Sequence, residues 1–212
     1  MNAMRYFKNL AVLAALGAVT VSCGDVARSG RAPVFLVIDS LGATSGGATG
    51  GTATGFLQSD VQRLVTTPAP CTVTEPCQTT FSDNGTVVFH LALKDIGSVD
   101  NPTSPSSNNQ VTITRYRVTY RRADGRNTPG VDVPYGFDGA GTVTVPASGT
   151  VSLGFELVRH AAKAEAPLVQ LINNPTIITT IAAVTFYGQD LVGNEIQATG
   201  NIQVDFGNFA DR

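Results

Sequence analysis

Charge and histidine are scarce in this chain, and each scarcity removes a class of function. Charged residues make up 14% of 212 positions and the formal net charge is −2. No basic field is available for a phosphate backbone, so nucleic acid is not expected as a partner. The two histidines, His90 and His160, stand seventy positions apart, and no H-E-x-x-H, G-x-S-x-G or calcium-loop spacing occurs. Without those patterns the zinc-hydrolase, serine-hydrolase and calcium-loop readings lose their signatures. No metal, cofactor or catalytic activity is expected. The N-terminal apolar run, Leu10 to Val21, has twelve residues. A helix crossing a bilayer core of about 30 Å needs about 20.

What is present begins with that short run. Arg5 and Lys8 precede it and Thr20-Val21-Ser22-Cys23 follows it. A positive region, an apolar stretch and small residues at the cut site compose an export signal that is removed from the mature chain. The tetrapeptide resembles the lipobox of bacterial lipoproteins, with Thr20 where that family favours Leu or Val. The resemblance implies a signal peptide over 1–22, acylation of Cys23, and a mature chain that starts there. Gly24 stands where an aspartate would favour the inner membrane, so the implied address is the outer membrane. Stable anchoring takes two or more acyl chains, at about 0.8 kcal/mol per buried methylene. Residues 23–32 are small, polar and irregular, and are read as a tether between lipid and domain.

With Cys23 assigned to lipid, Cys71 and Cys77 remain as an even pair in an oxidising compartment. Their loop, C-T-V-T-E-P-C, is already bent by Pro70 and Pro76, and C-x-x-C spacing is absent. A structural disulfide is the expectation. Removing Arg5 and Lys8 with the leader leaves twelve basic and sixteen acidic side chains, a net charge of −4. Gly, Thr, Ser and Val dominate this mature chain, a composition that suits strands and turns.

Period-two patterning supports that choice. From Ile196 to Phe206 the residues Ile196, Ala198, Gly200, Ile202, Val204 and Phe206 share one face. Ile177 to Tyr187 is rich in β-branched and aromatic residues, and Gly188 to Asn194 supplies a turn, so the two segments read as a long hairpin. Thr150 to Val158, Thr86 to Leu93, Val111 to Arg122, Gly141 to Val145 and Gln78 to Phe81 read as further strands. Tyr116, Val118 and Tyr120 are expected to point inward. Asp83-Asn84-Gly85 reads as a turn joining Gln78–Phe81 to the strand after it. Val34 to Ile38 is a continuous apolar run, expected to be buried on both faces. Seven or more strands imply an all-β sandwich over 33–209.

Tyr116-Arg117-Val118-Thr119-Tyr120 and the D-x-x-G-N turn at Asp190 resemble immunoglobulin-like and fibronectin type III-like domains of bacterial surfaces. The resemblance covers roughly 84–208 and implies an antiparallel immunoglobulin-like sandwich with no particular ligand. The chain lacks tryptophan, and its cysteine pair is too close in sequence to bridge two sheets.

Two polar insertions are expected as loops, over 42–55 and 97–110; the first lacks the G-K-[ST] ending of a phosphate loop. Arg159 to Leu171 reads as a short helix interrupted by Pro167. Asp83, Asp124, Asp138 and Asp190 lie near turns, where Asp is a routine residue, and a calcium site among them is the weaker alternative. Alternation places Arg115, Arg117 and Arg121 on the outer face of their strand, as a contact surface or simply a solubilising one.

The sequence therefore reads as a lipid-anchored, non-catalytic envelope module with a structural or protein-interaction role. A carbohydrate-binding or adhesin-like surface domain is the alternative. Partners are the membrane, through the lipid, and an envelope protein or glycan.

Overall fold

The structure, a computed structural model, describes residues 30–47 and 51–209. The signal peptide, Cys23 and most of the tether lie outside the described residues.

The chain is all-β, built on two packed sheets. Strands β1 (Val34–Thr44), β5 (Asp83–Leu93) and β10 (Thr150–Val158) form one sheet in the order β1-β5-β10. The other is ordered β2-β12-β11-β8-β9, with β2 at Phe56–Asp60, β8 at Val111–Arg121, β9 at Phe137–Val145, β11 at Ile178–Asp190 and β12 at Glu195–Gly207. Every pairing in the two sheets is antiparallel except β2 with β12, which is parallel. Two small hairpins sit apart: β3 (Arg63–Val65) with β4 (Cys77–Thr79), and β6 (Gly97–Ser98) with β7 (Asn101–Pro102). Cys71 and Cys77 are joined by the expected disulfide, with Cα atoms 5.2 Å apart.

One hydrophobic core draws on the inner faces of both sheets. At its centre Phe89 and Phe155 of the three-stranded sheet meet Phe186 and Tyr116 of the five-stranded one. Phe89 and Phe155 stand edge-on to Phe186, with centroids 5.0 and 5.3 Å away, and Phe155 meets Tyr116 at 5.3 Å. Such edge-to-face pairs add about 0.5–1.5 kcal/mol each beyond their area burial. The alternation of β12 holds over its whole length, and Ile196, Ala198, Ile202, Val204 and Phe206 all face this core. The β11–β12 turn closes on Asp190. Its Oδ1 accepts from the backbone N–H groups of Val192 and Asn194 at 3.0 and 2.8 Å, and Gly193 takes the left-handed position at φ 82°.

Four expectations need correction. Asp83-Asn84-Gly85 is not a turn but the first three residues of β5, and β4 pairs with β3 instead of forming a hairpin with β5. The reason is burial: the Asp83 carboxylate finds partners inside the fold, and Gly85 lies under the Phe155 ring. A Cβ at Gly85 would come within 2.3 Å of that ring. Val34–Ile38 is not buried on both faces, because Val34 and Leu36 point into the core while Phe35, on the uncovered outer face of the sheet, is 55% exposed. β1 also continues to Thr44, so the first residues of the 42–55 insertion are strand, and Ala43 bridges Thr54. Finally, the stretch from Arg159 to Leu171 divides at Pro167 into one helical turn, α1 (His160–Lys163), and a 3₁₀ segment over Leu168–Asn173.

Candidate functional site

A cleft of about 410 Å³ opens at the end of the sandwich where the described chain begins. It is formed because three strand termini meet there: the start of β1, the end of β11 and the start of β12. β8 reaches it through a β-bulge between Ile113 and Arg115. The bulge shifts the inward positions from Val111 and Ile113 to Tyr116, Val118 and Tyr120, and leaves Thr114 and Arg115 adjacent and exposed. Both line the cleft.

Two cations and two rings define its character. The Arg115 guanidinium lies 3.8 Å from the centroid of the Tyr187 ring, its cross-strand partner. Lys94 Nζ lies 5.1 Å from the centroid of Phe35 and donates to the Gly30 carbonyl at 2.8 Å. Gln189, Gln197 and Glu195 supply polar groups, and Glu195 is the one carboxylate among the lining residues. An exposed Phe35 ring and a half-buried Tyr187 ring beside two cations suit a flat, hydroxylated or carboxylated ligand.

Arg115 also belongs to the face singled out in the sequence. Arg115, Arg117 and Arg121 all project from the exposed side of β8. Asp138, opposite Arg117 on β9, lies 3.5 Å from Arg115 Nη1 and 3.9 Å from Arg117 Nε, so the face is a mixed ladder and not a bare cationic one. Thr185 and Thr199 extend the polar surface across β11 and β12 through a 2.9 Å hydroxyl contact.

The four turn carboxylates occupy separate places. Asp83 is buried, with Lys163 Nζ at 2.9 Å, the Ser59 hydroxyl donating at 2.6 Å and the Gly46 N–H donating at 2.7 Å. Asp124 binds Arg122 and Arg126, whose guanidinium hydrogen bonds hold its carboxyl well below the usual carboxylate range. Asp138 lies on the outer ladder and Asp190 closes its own turn. Among the described residues no group of three His, Cys, Asp or Glu side chains converges as a metal site would. His90 Nδ1 stands 2.6 Å from Asp39 Oδ1 on the outer side of the three-stranded sheet, and His160 sits at the start of α1. Tyr116 and Tyr120 point inward as expected, and burial, the largest cause for each, raises both phenols above their ordinary value.

Sequence reasoning found Arg115 but not Phe35, Lys94 or Tyr187 as its companions. The sequence pattern ends its strand at Tyr187 and begins the turn at Gly188, whereas β11 runs on to Asp190 and pairs Gly188 with Ile196 and Gln189 with Glu195, which places Tyr187 inside the strand. The position of Lys94 follows only from the β1–β5 register.

No family model, curated protein or solved structure matches this chain. The class of molecule is thus set by its fold and cleft alone: an all-β domain with an open, partly aromatic groove at one end.

Proposed function

We propose that this chain is an exported lipoprotein, anchored through acylated Cys23 at the outer membrane, whose sandwich is a non-catalytic interaction module. The observation that carries the reading is Arg115, which belongs at once to the polar face of β8 and to the cleft, so one partner can engage both. The Cys71–Cys77 disulfide supports export, because such bonds persist in oxidising compartments. A single lining carboxylate supports binding over hydrolysis, since glycoside cleavage by the common route uses two.

The partner in this reading is an envelope protein. Cross-linking from Arg117→Cys on intact cells, followed by mass spectrometry, is expected to recover one dominant envelope protein, and recovery is expected to fall at least tenfold in Arg115→Glu. Equal recovery from both would reject the face as the contact. Exposed ion pairs contribute about 0–1 kcal/mol, so charge reversal at Arg115 is expected to leave folding intact.

Phe35 and Tyr187 favour a second reading, a carbohydrate-binding surface domain, because the exposed Phe35 ring can stack on a sugar face while Arg115, held over Tyr187, and Lys94 pair with uronate carboxylates. A glycan array is expected to show acidic-glycan binding that Arg115→Glu and Tyr187→Ala abolish; a blank array removes this reading.

A further inference from the structure

We infer that the end of the sandwich from which the chain runs toward Cys23 rests on the bilayer, with two apolar hairpin tips entering the headgroup region, so that a partner of the neighbouring cleft is met at the membrane surface. The inference rests on the anchoring reading above and adds an orientation and a lipid-contact surface to it.

The topology gathers this end. Val34, at the start of β1, pairs with Leu93, at the end of β5. In the other sheet Asp190 pairs with Val111, which pairs with Val145. Gly30, Val34, Lys94, Gln189 and Glu195 line one cleft, so both sheets end at the same place. Three loops project there, the β11–β12 turn, the segment after β5 and the β9–β10 turn over 146–149, and the first two carry exposed apolar side chains.

Their apolar residues are out of keeping with their positions. Leu191 and Val192 are 61% and 81% exposed, and Ile96 and Val99 are 74% and 99% exposed. The geometry of the first turn is met by Asp190, Gly193 and Asn194 alone, so nothing in its fold demands side chains as apolar as Leu and Val at the tip. The second loop is likewise held by its polar members. The Gly97 N–H donates to Asp95 Oδ1 at 2.9 Å, the Asn101 N–H to Ser98 Oγ at 3.1 Å, and the Thr103 N–H to the Ile96 carbonyl at 3.0 Å. Both tips are braced, with their apolar side chains turned to solvent.

The length of chain beyond Gly30 names the occupant. Six residues separate Gly30 from Cys23, seven Cα steps with a reach of about 25 Å at full extension. Lys94 fastens Gly30 to this end of the fold. With an acylated Cys23, the two tips stay within a short radius of the lipid surface, and their contact with it becomes intramolecular. Arg31, Lys94 and Arg115 are balanced here by Asp95, Asp100 and Glu195. The surface is not cationic, and it fits zwitterionic headgroups better than anionic ones.

The chain has no tryptophan, so one introduced indole reports alone. The acylated full-length protein carrying Val192→Trp, placed in phosphatidylcholine vesicles doped with brominated lipid, is expected to show blue-shifted emission and strong bromine quenching. Ile96→Trp is expected to behave the same way. Val131→Trp, 67% exposed before substitution in the loop at the opposite end, is expected to show neither change. Intact mass is read on each sample. Acylated protein in which the Val192→Trp and Ile96→Trp variants emit and quench like the Val131→Trp variant overturns this inference alone, the outcome also expected if those tips serve a protein partner. A mass without acyl chains overturns the anchoring reading and this inference with it.

Discussion

Lys163 Nζ stands 2.9 Å from Asp83 Oδ2, and both side chains are buried. Lys163 closes the single turn of α1, and Asp83 opens β5. Ser59 of β2 and the backbone of Gly46 donate to the same carboxylate. Four separate segments, two of them outside regular strands, are thus tied at one buried point.

Removing one partner of such a pair leaves an uncompensated buried charge, at a cost of about 3–5 kcal/mol. Lys163→Met is therefore expected to lower the urea midpoint sharply. Adding Asp83→Leu to it is expected to recover part of the loss, because the orphaned carboxylate goes too. A midpoint unchanged in Lys163→Met would show that the pair does not hold these segments.

The buried phenol nearby gives a pH test. Tyr120 donates to the Leu157 carbonyl at 2.6 Å, and burial, followed by the charge of Asp83, raises its pKa above the ordinary tyrosine value. From about pH 10, where an unfolded tyrosine ionises, the unfolded chain holds fewer protons than the folded one, so stability falls as pH rises. Denaturant midpoints measured from neutral to strongly alkaline pH are expected to drop above that point. Tyr120→Phe, at a cost of about 1 kcal/mol at neutral pH, is expected to reduce the slope of the drop. A slope equal to that of the unaltered protein would contradict the assignment.

Gly85 tests how closely the sheet and its core are fitted. A Cβ there would meet Phe155 ring atoms at 2.3 to 2.7 Å, and Phe155 also contacts Tyr116 and Phe186. Gly85→Ala is expected to destabilise by about 1–3 kcal/mol, the usual cost of overpacking. Calorimetry showing a stability equal to that of the unaltered protein would mean that the ring yields freely.

Much of this fold is legible in the sequence, and the failures have physical causes. β12 could be read from end to end because its partners never force a change of register. β1, β8 and β10 each carry a bulge, at Asp39, Thr114 and Leu157, where the inward parity switches. A period-two pattern cannot announce such a switch. Asp83-Asn84-Gly85 misleads for a different reason, since its turn chemistry is overridden by a lysine 80 positions later in the chain. The site divides in the same way. Arg115 follows from alternation, whereas its cleft depends on where β1 starts relative to the end of β11, a fact of sheet packing.

The Cys71–Cys77 disulfide closes a small loop attached to the β3–β4 hairpin, outside the main core. Closing so short a loop is worth about 2 kcal/mol at most. Cys71→Ser with Cys77→Ser is expected to speed proteolysis between the two positions while leaving the global unfolding midpoint nearly unchanged. Loss of the whole fold on reduction would contradict this placement.

Everything proposed about function depends on the thiol of Cys23. Mass spectrometry of the N-terminal peptide from membrane-fraction protein is the most direct test. The account predicts a mature chain that begins at Cys23 and carries at least two acyl chains. A chain retaining residues 1–22, or a mature Cys23 with its sulfur unmodified, would contradict it.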